Sequence, residues 1–507
     1  MTKRSMLIKV HAKIGDLGRE KADGVLIPLF EDHGELCGSF PQLDKATADL
    51  LCLLVKRGDF RGERYKTFMV YTHDPVAPRR IILVGLGKRD EFDLDRMREA
   101  GGAGFYYARE AGLKKLIVPA KSVEVDGFSI EELLEAFLTG GILRTYQFNE
   151  LKTNDKPSRA MLNECVVMSG DRVQRESIKQ ALRRATIVSQ AVYLARDLVS
   201  LPANKKTPTI LAGIARSIAK RQGLKCKIIS EKEARTMGMG AFSAVGQGSR
   251  EPATMIILEY RAGCNYGRPI VLIGKGITFD SGGISLKPPD RMEVMKDDMA
   301  GGAAVMAILQ ATAELQLPLH VIGIIPAAEN LPGGKAYKPG DVLVSLSGQT
   351  IEVISTDAEG RLILADALTY AQRFRPQAIV DLATLTGACV VALGDYVAGV
   401  MGNNESHLTR VKIAGEKSGE KVWPLPLWEE YFEYLRSDVA DFKNVGGRAA
   451  GTITAGMFLK RFVGSAPWVH IDIAGPAWLE KDRPYMPKGA SGFGVRLLMQ
   501  LLMEWQQ

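Results

Sequence analysis

Four carboxylates and three cations lie close to glycines or element ends near the middle of the chain. They are Asp280, Asp298, Asp357 and Glu359, with Lys275, Lys287 and Arg361. Asp280 precedes the sharp turn Ser281-Gly282-Gly283, and Asp298 stands just before a helix start at Met299-Ala300-Gly301-Gly302. Asp357 and Glu359 are two residues apart, so an extended segment turns both to one side. Four carboxylates in one pocket cannot all stay ionised unless cations neutralise them. Two divalent metals do so, and paired sites hold metals about 3.5–4 Å apart. Taken singly, Asp298 reads equally well as a helix cap, and Asp357-Ala358-Glu359 as a solvated turn. The metal reading is carried by the set, because the three cations sit at the same element ends.

The cations have separable chemistry. Lys275 is five residues before Asp280, so both reach one metal across a turn. A coordinating lysine must be neutral, at a cost of roughly 5 kcal/mol at pH 7; on residue logic alone Lys275 reads as a salt-bridge partner. Lys287 follows the glycine turn, where an ammonium can polarise a carbonyl or stabilise an oxyanion. Arg361 opens a helix, and its fork suits a small planar anion such as carboxylate or bicarbonate. None of the six histidines lies in these segments, and HExxH is absent. His320 and His470 fall inside expected strands and read as satisfied core residues. A carboxylate-dominated site suits magnesium, manganese or zinc, and oxygen ligands lean toward manganese.

Apolar runs position these residues. Ile270-Val271-Leu272-Ile273 before Gly274 reads as a buried strand ending in a turn, and Ile351 to Ile354 precedes Asp357. Open α/β sheets place their sites just past such strand ends. From Met1 to about Leu151 expected strands (24–29, 68–72, 80–85, 116–119) alternate with helices (44–56, 94–111, 130–140), which argues a small α/β domain. Gly101-Gly102 reads as helix packing. The polar stretch with Asn154, Lys156, Pro157 and Ser158 marks a boundary, and 172–201 reads as one long helix ended by Pro202. Beyond it, helices are expected at 208–221, 300–315, 361–374 and 494–505. Strands are expected at 226–229, 255–260, 319–325, 378–382 and 468–473, with a hairpin over 342–354 turning at Ser347-Gly348. The expected organisation is a smaller N-terminal α/β domain (1–165), a linking helix (166–203) and a larger catalytic α/β domain (204–507). The second domain is expected to hold a mixed central sheet flanked by helices.

The chain of 507 residues is long enough for such a two-domain core. Its net charge of +8 is mild for this length, and a nucleic-acid role would want that charge clustered on one face. No two of the six cysteines lie within three residues of each other, which excludes a CxxC pair and fits reduced thiols in a cytosol. Met6-Leu7-Ile8 is too short for a signal-peptide core, and no apolar run reaches the roughly 18 residues of a membrane span.

Three strings carry a resemblance: G-K-G-I-T-F-D-S-G-G (Gly274–Gly283), M-K-D-D-M (Met295–Met299) and T-D-A-E-G-R-L (Thr356–Leu362). They resemble the leucyl aminopeptidase, or cytosol aminopeptidase, family, most of all its bacterial branch. The resemblance covers essentially all of 180–500, and more loosely the N-terminal part. It implies a metal-dependent aminopeptidase removing N-terminal residues, leucine among them, from peptides. It implies that Asp280 and Glu359 bridge two metals, manganese or zinc, that Lys275 and Asp298 complete one site, and that Asp357 completes the other. A hydroxide bridging the metals would attack a carbonyl polarised by Lys287, with an Arg361-held bicarbonate as general base. Leu382 to Gly387, with Leu385 and Gly387 in its turn, matches the segment whose backbone grips the substrate, and Met295 and Thr384 would line the pocket for the first side chain. A cytoplasmic homohexamer with sites facing an inner cavity is also implied. Ser355 departs from the family's usual asparagine there, which bears on pocket shape. The rival readings are a two-metal phosphoesterase, for which only Arg361 is at hand as an anion binder, and a nucleic-acid-binding hexamer, resting on the basic balance alone.

Overall fold

The computed structural model describes residues 7–505, apart from 16, 18–19, 32–44, 73–78, 154–160, 172 and 264–266. The polar stretch 154–158, the helix starts expected at 44 and 172, and Cys37, Cys264, His33 and His73 lie outside the described residues. The chain forms two compact units: Met1–Tyr193 with Glu480–Lys488, and Leu194–Leu479 with Gly489–Gln507. This division differs from the expected boundaries. The strand Glu164–Ser169 pairs on both sides inside the first sheet, so that unit cannot end at residue 165. The long helix Arg175–Ser200 belongs to both units instead of linking them as a separate element. The return of 480–488 to the first unit carries no signal in the sequence.

The first unit is a six-stranded sheet. Its order is Lys9–Ile14, Glu164–Ser169, Lys115–Pro119, Gly24–Phe30, Arg80–Gly87, Thr67–Tyr71. All pairings are parallel except that of the last strand. Gly24–Phe30 is buried along its whole length, as a strand covered on both faces must be. Helices Leu94–Glu110 and Ile130–Arg144 approach backbone to backbone through glycine. A Cβ at Gly101 would lie 1.9 Å from the Phe137 carbonyl oxygen, and one at Gly140 1.9 Å from that of Arg98. Gly101 therefore serves helix packing, and Gly102 fits against Tyr485 of the returning segment. That segment is anchored by Arg144 to Asp482 (2.9 Å) and by Tyr485 to Asp95 (2.8 Å).

The second unit is built on a mixed sheet. Its main path runs Val422–Pro424, Ala398–Gly402, Trp468–Asp472, Ala378–Ala383, Ile270–Gly274, His320–Asn330, Thr254–Arg261, Lys225–Ser230. A further strand, Gly276–Asp280, runs parallel to the end of His320–Asn330. The strands nearest Lys275 are parallel and buried, so their carboxyl ends lie along one edge of the sheet. Helix Ala300–Leu315 packs on one face: a Cβ at Gly323 would lie 2.8 Å from Val305 and 2.9 Å from Leu309. Helix Glu359–Ala371 shares the opposite core with Val271, Ile273, Ile322 and Ile324. Asp366 on that helix is fully buried and accepts from the N–H groups of Phe242 (2.8 Å) and Leu346 (2.7 Å). The expected hairpin forms from Val342–Val344 and Thr350–Glu352. No helix among the described residues is long and apolar enough to cross a membrane.

Candidate functional site

Most of the site residues sit at or next to element ends; Lys287 lies within the loop between Asp280 and Met292. Lys275 is the single residue between strands Ile270–Gly274 and Gly276–Asp280, and Asp280 closes the second of them. Asp298 follows a short 3-10 turn, Met292–Asp297, and its side chain caps no helix. Glu359 is the first residue of its helix and Arg361 the third. The expected reason for Asp357 and Glu359 sharing a side is therefore corrected. The segment is not extended there; Ala358 is the residue that turns the chain into the helix.

The structure brings the four acids and two lysines together. Carboxylate oxygens of Asp280, Asp357 and Glu359 lie within 4.8 Å of one another. Lys275 Nζ pairs with Asp298 Oδ1 (2.8 Å) and Glu359 Oε1 (2.8 Å) and donates to the Thr384 carbonyl (3.0 Å). Lys287 Nζ pairs with Asp280 Oδ2 (2.9 Å) and with Asp357 Oδ1. One end of the cluster is closed, with the Lys275 and Asp298 side chains 4% and 7% exposed. The other opens to solvent, with Lys287 and Asp357 at 23% and 37%.

Glycine makes this geometry feasible. Gly282 and Gly283 adopt φ of +86° and +66°, the left-handed region where a Cβ is costly. A Cβ on Gly360 would lie 2.6 Å from Lys275 Cε and 2.7 Å from its Nζ, so that glycine leaves room for the lysine.

The electrostatics are unbalanced. Burial pushes the carboxyls of Asp280, Asp298 and Asp357 above the usual carboxylate range, and the neighbouring acids reinforce this for each. Burial opposes the charges on Lys275 and Lys287, yet the surrounding carboxylates together hold both ammonium groups above the usual lysine range. Four carboxylates against two ammonium groups leave a deficit of two positive charges. In addition, Asp298 Oδ2 is buried with no hydrogen-bond partner among the described residues. A buried, unpartnered carboxylate oxygen beside an electropositive deficit fits a divalent cation. The donor set, oxygens plus one amine, fits as well.

Arg361 is buried behind this cluster. Its Nη1 donates to the Asn444 carbonyl (2.7 Å), its Nε has no partner among the described residues, and burial brings its pKa down to about 10. The segment Thr384–Gly387 follows strand Ala378–Ala383. Thr384 Oγ1 donates to Asp298 Oδ1 (2.7 Å), while Leu385 N–H (3.1 Å) and Thr386 Oγ1 (2.7 Å) donate to Asp472. Met295 is half-buried in the turn before Asp298, and Gly387 is exposed. His320 meets Glu259 (2.9 Å) in its strand. His470 Nδ1 meets Asp381 (2.6 Å), but its Nε2 is buried without a partner among the described residues.

Several supporting residues escaped sequence reasoning. Asn330 donates to Asp280 Oδ1 and to the Thr356 carbonyl, Tyr337 donates to the same carbonyl (2.8 Å), and Asn444 braces Ile354 and Ser355. Ser355 accepts from the Asp357 N–H (3.2 Å), a small local brace. Asn330, Tyr337 and Asn444 lie far from the motif strings in the sequence, so no signal there marks them.

The chain matches two family models: the cytosol aminopeptidase family catalytic domain over residues 193–499 and that family's N-terminal domain over 26–155. It is 48% identical over 464 residues to a probable cytosol aminopeptidase of Geotalea uraniireducens, covering 91% of this chain and 93% of that one. A probable cytosol aminopeptidase of Geobacter sulfurreducens is 46% identical, with 98% and 99% covered. Among solved structures, a mutant of tomato leucine aminopeptidase superposes with a TM-score of 0.86 at 32% identity, covering 98% of this chain and 97% of that one. The bottromycin maturation enzyme BotP in complex with Mn gives 0.84 at 32% identity, covering 96% and 100%. With both domain models matched and identity sustained over nearly the full length, the chain belongs to the cytosol aminopeptidase family.

Proposed function

We propose that the protein is a metal-dependent aminopeptidase that removes N-terminal residues, leucine among them, from peptides. The observation that carries the reading is the cluster of buried Asp280, Asp298 and Glu359 with the more exposed Asp357, whose charge the two lysines only half balance. In this reading Asp280, Glu359, Lys275, Asp298 and Asp357 would hold two divalent cations, manganese or zinc, with Lys275 and Asp298 serving one and Asp357 the other. When bound, the cations supply Lewis acidity and a water of lowered pKa.

The chain's own residues do the rest. Lys287 stands at the open end, where its ammonium polarises the scissile carbonyl and stabilises the oxyanion. Arg361, with Nε uncommitted, holds a bicarbonate as proton acceptor. Thr384, Leu385 and Gly387 align the substrate backbone, and Met295 and Thr384 line the pocket for its first side chain. Asp472 holds that backbone segment still through Leu385 and Thr386. A cytoplasmic homohexamer belongs to the same proposal and rests on the family resemblance.

The test compares leucine amide with N-acetyl-leucine amide at matched pH, using chelated enzyme with and without added Mn²⁺. Cleavage of the free amide alone, and only after metal is restored, is expected. Full turnover by protein shown to be metal-free, or comparable kcat/KM for the two amides, would overturn the reading.

A further inference from the structure

Asn330 is fully buried at the end of strand His320–Asn330, in register with Asp280 of the neighbouring strand. It touches both loops that carry the acids. Its carbonyl accepts from Ser281 N–H (3.0 Å) and Ser281 Oγ (2.8 Å). Its Nδ2 donates to Asp280 Oδ1 (2.8 Å) and to the Thr356 carbonyl (2.9 Å), with Glu359 Oε2 at 3.5 Å. A side-chain amide has two N–H groups, so the two short bonds use both. The amide's orientation is thereby set, because turning it over would aim Oδ1 at two acceptors.

This has a consequence for Asp280. Its Oδ1 accepts from both Asn330 Nδ2 and the Gly282 N–H (2.9 Å), which leaves Oδ2 to face the site. Meanwhile Asn330 Oδ1 is buried without a partner among the described residues, at a place where a Cβ on Gly283 would come within 2.7 Å. A buried unpaired acceptor is costly. An apolar side chain would fill the space without that cost, so the amide's donors are what the position requires.

We propose that Asn330 is a positioning residue for cation binding. It fixes the separation of the Asp280 loop from the Thr356–Glu359 loop, and it selects which Asp280 oxygen is presented. This rests on the two-cation reading above. Groups that orient ligands typically change metal affinity 10–100-fold when removed.

The test is a calorimetric titration of chelated protein with Mn²⁺, run on wild type, Asn330→Ala and Tyr337→Phe, with melting temperatures recorded alongside. Tyr337→Phe removes the other donor to the Thr356 carbonyl but leaves Asp280 untouched. Asn330→Ala is expected to weaken Mn²⁺ binding about 10–100-fold while Tyr337→Phe changes it less. Should Asn330→Ala not fold, Asn330→Ser, whose single hydroxyl cannot bridge both loops, is read by the same titration with the same expectation. Wild type that binds no Mn²⁺ would overturn the two-cation reading and this inference with it. Wild type that binds Mn²⁺ while the Asn330 variant binds it equally well, even if it melts lower, would overturn the inference alone.

Discussion

At the scale of single residues, the site depends on where two ammonium groups end. Lys287 touches Asp280 and Asp357 and is assigned to the developing oxyanion. Lys287→Ala is expected to retain bound metal and to lose about 10²–10³ in kcat; metal analysis beside steady-state kinetics checks both halves. Gly360→Ala tests the other ammonium. The nearest atoms to its new Cβ belong to the end of the Lys275 side chain, so Lys275 must leave Asp298 and Glu359. Metal affinity should fall together with activity, and an unaltered titration would show that Lys275 can be displaced at no cost. The acids and cations themselves were legible in the sequence as residue types grouped near glycines. Asn330, Tyr337, Asn444 and Asp472 were not, because each acts through backbone groups distant in sequence, such as Asp472 through Leu385 and Thr386.

At the scale of elements, one buried carboxylate ties three segments. Asp366 holds the N–H groups of Phe242 and Leu346 from its place on helix Glu359–Ala371. Asp366→Ala leaves both donors without that acceptor and should cost about 2–4 kcal/mol, read as a lower urea midpoint. Burial raises the Asp366 carboxyl to about 7. A carboxyl raised on folding contributes stability that is full below the unfolded value, near 4, and is lost as pH rises through about 7. The Asp366→Asn variant should therefore show a smaller loss of stability than wild type between pH 5 and 8. Apolar runs such as Ile270–Ile273 announced their strands. Lys9–Ile14 carries a strand's period-two alternation, but only over six residues beside a basic amino-terminal stretch. Gly276–Asp280 was hidden because one residue, Lys275, separates it from the strand before.

At the scale of the molecule, cations that bind only the folded chain must stabilise it by mass action, by about 4 kcal/mol for a ligand at a thousand times its Kd. The melting temperature is expected to rise with Mn²⁺ concentration in wild type and to rise less in Asp357→Asn; a melting curve indifferent to Mn²⁺ would count against a resident metal. The two-unit organisation was legible from the alternation of strand and helix, but the return of Glu480–Lys488 to the first unit was not. That return has a consequence for synthesis. The first unit's continuous part ends at Tyr193, and its last piece begins at Glu480, 287 residues later by subtraction. At about 5–20 residues per second, that interval is roughly 15–60 s. During it, Arg144, Asp95 and the small face of Gly102 leave the ribosome without Asp482 and Tyr485. The amino-terminal sheet can therefore form early on the ribosome, but the complete first unit must wait until Glu480–Lys488 has been made.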